Sequence, residues 1–399
     1  MTVNVSKQVP GNELPLVVIC AGTTWAGITG SDHHIAKGLT RYARVLWVDP
    51  PVTVLTPANR RGGTGIAPWP KLCPVMPGLT RLTTIALPGQ TRPVINASTG
   101  MLVRAQIRWA LRQLNAKPAA VVACMLDDVL TGWEPDVLRV LYGTDDYYAG
   151  AGLMGLSKTT LLKNERRQLA NANVVIAISQ LLAKRWQDMG AKPLLIPNGV
   201  QAAAYRHIDK VEPAHDAVLP APVAGVIGQL SARIDIAMLE AVAGAGCSLL
   251  LVGPNDPNWE AKRFAALVAQ NRVAWVGRRT FEELPRYLRA MNAGLTPYAL
   301  TPFNRASFPL KTLEYLAAGL PVVSTALPAT RWLNSNLIRV ASNPADFAKA
   351  VRDVTQHAPS ELEIRRRQDF AAQHSWERRA HEFACAIGLP DKVHQAETP

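Results

Sequence analysis

The feature that most constrains the fold is an alternation that runs along the chain and restarts halfway. Short apolar runs are separated by longer stretches of helical periodicity: LPLVVICA (14–21), VLWVD (45–49), AAVVACML (119–126), VLRVLYG (137–143), VVIAIS (174–179) and PLLIPNGV (193–200). A second series opens with PVAGVIG (222–228) and continues through SLLLVG (248–253), VAWVG (273–277), AGLTPY (293–298) and PVVST (321–325). Runs that are apolar throughout read as strands buried on both faces, and their alternation with helices specifies parallel sheets covered on both sides. The expected fold class is α/β, with two doubly wound domains facing across a cleft. The division expected is residues 1–200 and 201–374, with the Pro- and Ala-rich stretch 201–221 as the linker. In open sheets of this kind ligands bind beyond the carboxyl ends of the strands, so chemistry is sought in the loops after them.

Composition narrows the class. With 48% apolar and 18% charged residues and a mean hydropathy of +0.03, the chain is not disordered. No run approaches the roughly 18 apolar residues of a spanning helix, and the N-terminus lacks the pattern of a secretory signal. The five cysteines are scattered without C-x-x-C spacing, which reads as reduced thiols in a cytoplasmic protein and gives no metal site. The net charge of +13 sits mainly in residues 1–200, which hold 21 Lys and Arg against 11 Asp and Glu. Between Asp49 and Asp127 there is no acid. Within that interval Arg104, Arg108 and Arg112 recur every four residues, along one face of a helix. Such a face suits an anionic membrane surface, or is simply solvated. No zinc-finger spacing, RNP-like aromatic motif or coiled-coil basic region is present, so nucleic acid is not an expected partner.

The loop from Gly22 to Ser31 leaves the first strand and enters a helix. Its Gly22, Thr23, Gly27 and Gly30 let backbone approach a ligand, and the helix start offers N–H groups to an anion. His33 and His34 stand at that start, as hydrogen-bonding groups at the cleft or as caps. A literal G-x-G-x-x-G at Gly150–Gly155 comes after TDDYY rather than a strand, and no strand-ending acid lies beyond it, so it reads as a mobile loop. Asp145 and Asp146 come just after the strand VLRVLYG. One of them is placed to accept a proton from an attacking hydroxyl; an Asx turn or helix cap is the other reading. Asp127 and Asp128 read as structural. In PYALTPFNRASFPLKTLEYLAAGLPVVST (297–325), Lys311 and Glu314 share a face at the start of a helix. Lys311 and the N–H groups there suit a phosphate or diphosphate, and Glu314 suits sugar hydroxyls.

SFPLKTLEYLAAGLPVVS resembles the donor-binding helix of nucleotide-sugar-dependent glycosyltransferases of the GT-B fold, with Rossmann-like domains, of the bacterial exopolysaccharide or cell-envelope, group-1-like type. IPNGV (196–200), GVIGQLSARID (225–235), VGRRTFEELPRYLRAMNAGLTPY (276–298) and HSWERRAHEF (374–383) resemble further segments of that family, the last being a C-terminal helix at about 375–399 that crosses back to the first domain. The resemblance implies that Gly228, Ser231 and Arg233 lie against the donor diphosphate. It puts Arg278 beside the base, Lys311 and Thr312 on phosphate, Glu314 on the ribose, and the Gly22 loop on donor phosphates or acceptor. Asp146, with Asp145 beside it, falls where some members carry an aspartate base. The first glutamate of the E-x7-E pair is Ala306 here, which points away from the retaining mechanism of those members. The implied activity is transfer of a sugar from a nucleoside diphosphate donor to a hydroxyl of a lipid-linked or saccharide acceptor, without a tightly bound metal, at the inner face of the membrane. A nucleotide-sugar 2-epimerase and a non-catalytic sugar-nucleotide binding protein are the alternatives.

Overall fold

The computed structural model describes residues 14–53, 56, 70–88, 93–125 and 127–389, without the side chains of 93–97. Arg60, Arg61 and Arg92 of the acid-free interval, and the part of the expected last helix beyond Leu389, lie outside the described residues. The chain forms two compact units. One runs to Pro197 and resumes at Trp376; the other is Asn198–Ser375.

The first unit contains β1 (Leu16–Cys20), α1 (Ser31–Leu39), β2 (Arg44–Val48), β3 (Lys71–Met76), β4 (Leu79–Thr83), α2 (Pro93–Gln113), β5 (Pro118–Ala123), β6 (Leu138–Gly143), α3 (Ala151–Met154), α4 (Lys158–Asn171), β7 (Val174–Ala177), α5 (Gln180–Asp188) and β8 (Leu194–Leu195). The sheet order is β3-β4-β2-β1-β5-β6-β7-β8, parallel except for the β3–β4 hairpin. β1 is buried at every position, as a central strand covered on both faces must be. On one face Val18, Leu46 and Val121 form a core with Ile107 and Leu111 of α2 and with Trp133 and Trp186.

The second unit contains β9 (Val223–Ile227), α6 (Ile236–Gly244), β10 (Ser248–Val252), α7 (Ala261–Val268), β11 (Val273–Trp275), α8 (Leu284–Arg289), β12 (Ala293–Thr296), α9 (Pro302–Ala306), α10 (Leu310–Ala317), β13 (Val322–Thr325), α11 (Pro328–Leu333), β14 (Ile338–Ala341), α12 (Pro344–Thr355) and α13 (Glu361–Ala372). Its strands are all parallel, in the order β11-β10-β9-β12-β13-β14. The strand order reverses beside β9, between β10 and β12, which makes a topological switch point. In the first unit the same reversal falls at β1.

The last helix, α14 (Trp376–Ala386), belongs to the first unit and packs on α1. A Cβ on Gly38 would lie 2.3 Å from Ala380 Cβ, so the glycine permits the close approach. The His34 ring stacks on Trp376 at 4.5 Å, which gives His34 a packing role.

Two expectations are corrected. PLLIPNGV is a strand only at Leu194–Leu195; Pro197 has no N–H for a ladder, and the chain leaves the sheet there. The stretch 201–221 is not a free linker. It forms single 3₁₀ turns at Ala202–Ala204, Ile208–Lys210 and His215–Ala217, buries Tyr205 and Ile208, and bonds Ala214 N–H to Arg286 O at 3.2 Å. Its Ala and Pro content concealed these apolar anchors. No helix among the described residues is long and apolar enough to cross a membrane.

Candidate functional site

The second unit gathers most of its sequence-marked residues at the switch point. Three adjacent strands, β9, β10 and β11, are followed by Gly228, Gly253 and Gly277, all at positive φ. Gly228 N–H bonds Val252 O at 2.9 Å and Gly253 N–H bonds Gly277 O at 2.8 Å. A Cβ on Gly253 would lie 1.8 Å from Gly228 O, so these two backbones touch. Beyond Gly228 the loop is pinned on both sides. Leu230 N–H bonds Pro254 O and Asp256 N–H bonds Leu230 O, while Ala299 N–H bonds Arg233 O and Asp235 N–H bonds Pro297 O, all between 2.8 and 2.9 Å. Ser231 is buried within this loop, and its carbonyl accepts from Ile234 N–H at 2.8 Å.

Arg233 is held rigidly. Its Nε donates to Asn304 Oδ1 at 3.0 Å, and its guanidinium lies 5.3 Å from the Tyr298 ring and 5.0 Å from the Phe303 ring. Asn304 is buried in α9 and donates to the carbonyls of Arg233 and Ala299, both at 2.8 Å. Sequence reading passed over Asn304, because its role lies in contacts 71 residues apart.

The helix α10 lies on the sheet through Leu313, Tyr315 and Leu316. Tyr315 fits because Gly294 has no side chain: a Cβ there would sit 2.1 Å from the ring. The Tyr315 hydroxyl accepts from Ile227 N–H at 2.7 Å, which fixes the helix against β9. Burial pushes the Tyr315 phenol well up, and it does the same to Tyr205, with the Glu314 carboxylate adding to the effect. The N-cap of α10 is Pro309, which supplies no side-chain acceptor to the first-turn N–H groups. Just before it, Asn198 Nδ2 donates to Phe308 O at 2.9 Å, so the buried asparagine of IPNGV steadies this entry. Lys311 Nζ pairs with Glu314 Oε2 at 2.8 Å, and the side chains are 24% and 14% exposed. A Cβ on Gly228 would meet Lys311 Cε at 3.8 Å, which places the lysine stem over Gly228. The pair is therefore neither solvated nor buried, but sits at the switch point.

One expected donor residue is corrected. Thr312 is fully buried and its hydroxyl has no hydrogen-bond partner among the described residues, so its side chain is not offered to a phosphate; only its N–H is. It points inward because it sits one residue after Lys311, about 100° round the helix. Arg278 is exposed, whereas the neighbouring Arg279 bonds Asp216 at 2.6 Å and the Tyr287 hydroxyl at 2.5 Å.

In the first unit Gly22, Thr23 and Gly27 are exposed, in a loop held by two buried carboxylates that sequence reading did not single out. Asp32 Oδ2 accepts from Gly22 N–H at 3.1 Å. Asp49 accepts from Trp25 N–H and Trp47 Nε1 at 2.8 Å and from Arg81 Nε at 2.6 Å. His33 is turned inward rather than toward the surface. It is buried, 4.3 Å from the Trp47 ring and 5.3 Å from the Trp25 ring, and its Nδ1 accepts from Gly30 N–H at 3.3 Å as a cap.

Asp146 is likewise corrected. Its side chain is 6% exposed, and its Oδ1 accepts from Ala149 N–H at 3.0 Å and pairs with Arg185 at 3.1 Å. That is an Asx turn locked by an ion pair, and the same arginine forks onto Glu165. Asp145 is half-buried. The arginine row of α2 is not a uniform membrane-facing stripe. Arg104 bonds the Asp128 carbonyl and pairs with its carboxylate at 3.6 Å; Arg108 bonds Gly132 O and lies 5.2 Å from the Trp133 ring. Arg112 alone of the three is exposed.

Comparisons with known proteins bear on the fold and class of the chain. Residues 223–357 match the model of the family described as glycosyl transferases group 1. A 159-residue stretch is 32% identical to a protein assigned as a teichuronic acid biosynthesis glycosyltransferase, TuaH, of Bacillus subtilis (strain 168). That stretch covers 39% of this chain and 40% of that relative's length. Among solved structures, the sucrose-phosphate synthase of Thermosynechococcus elongatus superposes with a TM-score of 0.71 at 18% identity, covering 96% of this chain and 100% of that one. HepE of Anabaena, solved with UDP and glucose, gives 0.65 at 15% identity over 95% of this chain and 100% of its own. The fold is the GT-B fold of these proteins, and the resemblance to group-1-like glycosyltransferases read from the sequence is borne out.

Proposed function

We propose that this chain is a glycosyltransferase that moves a sugar from a nucleoside diphosphate donor to a hydroxyl of a lipid-linked or saccharide acceptor, in the synthesis of a cell-envelope or exported polysaccharide. The observation that carries the reading is Lys311 at the uncapped first turn of α10, over Gly228 at the switch point, with Glu314 three residues on. The group 1 match and TuaH support transfer over the epimerase alternative, and HepE with UDP and glucose supports the donor class.

In this reading the bond from the sugar C1 to the diphosphate oxygen breaks, and its electron pair leaves on that oxygen. Lys311, Arg233 and the first-turn N–H groups of α10 stabilise the charge that develops there, without a tightly bound metal. Glu314 takes the ribose hydroxyls, and Arg278 flanks the base. The acceptor oxygen bonds C1, and its proton passes to a carboxylate. Asp145 is assigned that task because it is half-buried, whereas Asp146 is buried and paired with Arg185. Ala306 at the place of a first glutamate supports a single displacement with inversion. Gly22, Thr23 and Gly27 border the acceptor side. The charge of +13 supports an anionic membrane surface as a partner, at the inner face of a cytoplasmic membrane.

Two results are expected. In buffer containing EDTA, one of UDP-, GDP-, ADP- or dTDP-sugars raises the melting temperature of the full chain, since a ligand at 100 times its Kd adds about 2.7 kcal/mol to the folded state. If no nucleotide sugar shifts it, the donor reading fails. Asp145→Asn is expected to lower kcat by about 10²-fold with an unchanged melting temperature. Asp146→Asn should instead destabilise the fold by about 2 kcal/mol through the loss of a buried ion pair. The reverse pattern in rate and melting curves would return the base to Asp146.

A further inference from the structure

The G-x-G-x-x-G run has no part in the donor site, and packing explains neither of its last two glycines. A Cβ on Gly152 or Gly155 would meet nothing within 4 Å. Every residue from Gly152 to Thr160 is exposed, so the segment projects from the first unit. Within it Leu153 is 54%, Met154 39% and Leu156 41% exposed. Single exposed apolar residues are ordinary, but three within four positions on a projection are not. The turn that presents them is made by Gly155 at φ +64°, which ends α3 in the left-handed conformation.

Behind the apolar tip the chain is basic. Lys158, Lys163 and Arg166 are exposed on α4. The one acid of residues 152–171, Glu165, is turned inward, accepting from Arg185 and from Trp186 Nε1 at 2.8 Å. Its charge does not offset the bases at the surface. An apolar tip beside cations with no exposed acid is the combination that an anionic bilayer favours: the tip enters the acyl boundary while the cations meet headgroups. A protein partner with an apolar groove would need matching acids as well as a cavity.

We propose that the Gly152–Leu156 tip, with Lys158, Lys163 and Arg166 behind it, docks this protein on an anionic lipid bilayer. The proposal rests on and deepens the membrane part of the functional reading, and it replaces Arg104 and Arg108 as the agents of binding.

The test is co-sedimentation of the full chain with vesicles of phosphatidylglycerol and phosphatidylethanolamine, against vesicles of phosphatidylcholine alone. The unaltered chain is expected to bind the anionic vesicles at least about tenfold better, and less well as salt rises. Changing Leu153, Met154 and Leu156 together to serine should lower binding by at least about tenfold. Lys158→Glu with Lys163→Glu should lower it and flatten the salt dependence, and Arg112→Glu should leave it within about twofold. The nucleotide-sugar melting shift should be the same in all of these variants. That readout separates failure of the docking site from failure of the transferase reading. Equal binding of the triple-serine variant, or no binding by the unaltered chain, overturns the proposal. So does a change in oligomeric state on serine substitution without vesicles, which would make the tip a contact between copies.

Discussion

Lys311→Ala is expected to lower kcat/KM for the nucleotide sugar by about 10³-fold while the protein stays folded. In the structure the lysine stem lies over the Gly228 backbone, at the amino end of a helix whose first-turn N–H groups have no side-chain cap. A leaving diphosphate placed there gains a full positive charge and the partial charge of the helix end together. Removing one preorganised group of this kind lowers rates by about 10²–10³-fold, and a charged one stands at the upper end. The loss should appear in kcat as well as KM, because negative charge on the leaving oxygen grows toward the transition state. Lys311 is paired with Glu314 at 2.8 Å, so its removal also leaves a carboxylate that is 14% exposed without its partner. That costs about 1 kcal/mol of stability, a small fall in melting temperature beside the effect on rate. Lys311→Arg should recover part of the rate, since it keeps the charge but not the length and point geometry of the ammonium. Donor turnover of the alanine variant within about twofold of the unaltered chain would remove the diphosphate from this helix.

Much of the second unit was legible because its strands are buried on both faces. VAGVI and SLLLV contain no alternation to misread, and they became β9 and β10. β14 was missed for the opposite reason: its residues IRVA are exposed at the two central positions, as an edge strand's are. In the site, Lys311 and Glu314 were legible from local spacing alone, since i and i+3 share a helix face whatever else the chain does. The residues that were misjudged or missed depend on partners far away in sequence. Asp146 reads as an available carboxylate until Arg185, 39 positions on, is seen to hold it. The arginine row of α2 reads as a surface until the carbonyls of Asp128 and Gly132, each 24 positions on from its arginine, take up its guanidinium groups. Asp32 and Asp49 carry no pattern of their own; each is one acid at the end of an apolar or glycine-rich stretch. Local geometry writes itself into the sequence as periodicity, while hydrogen bonds between distant segments do not.

The same switch point supports a prediction about stability that separates two glycines with nearly the same backbone conformation. Gly228 has φ +137° and Gly253 has φ +143°, a region that side chains of L-residues rarely enter. By conformation alone, alanine at either position costs about 1–3 kcal/mol. Their surroundings differ. At Gly228 the added methyl meets only the flexible Lys311 Cε, at 3.8 Å, an ordinary contact. At Gly253 it meets the Gly228 carbonyl oxygen at 1.8 Å and its carbon at 2.7 Å, both backbone. Gly228 cannot yield readily, because its N–H bonds Val252 O and the loop beyond it is tied to Pro254 and Asp256 through Leu230. Gly253→Ala is therefore expected to destabilise the protein by about 4 kcal/mol or more, a fall of about 10 °C in melting temperature. Gly228→Ala should melt only a few degrees low, yet bind the nucleotide sugar at least about tenfold more weakly, since in the proposed reading its methyl would occupy the surface against the diphosphate. Thermal melts of both variants, with and without donor, check the two effects independently. If Gly253→Ala melts as the unaltered chain does, the backbone contact beneath the donor loop is wrong. If Gly228→Ala binds donor normally, the diphosphate does not lie against that glycine.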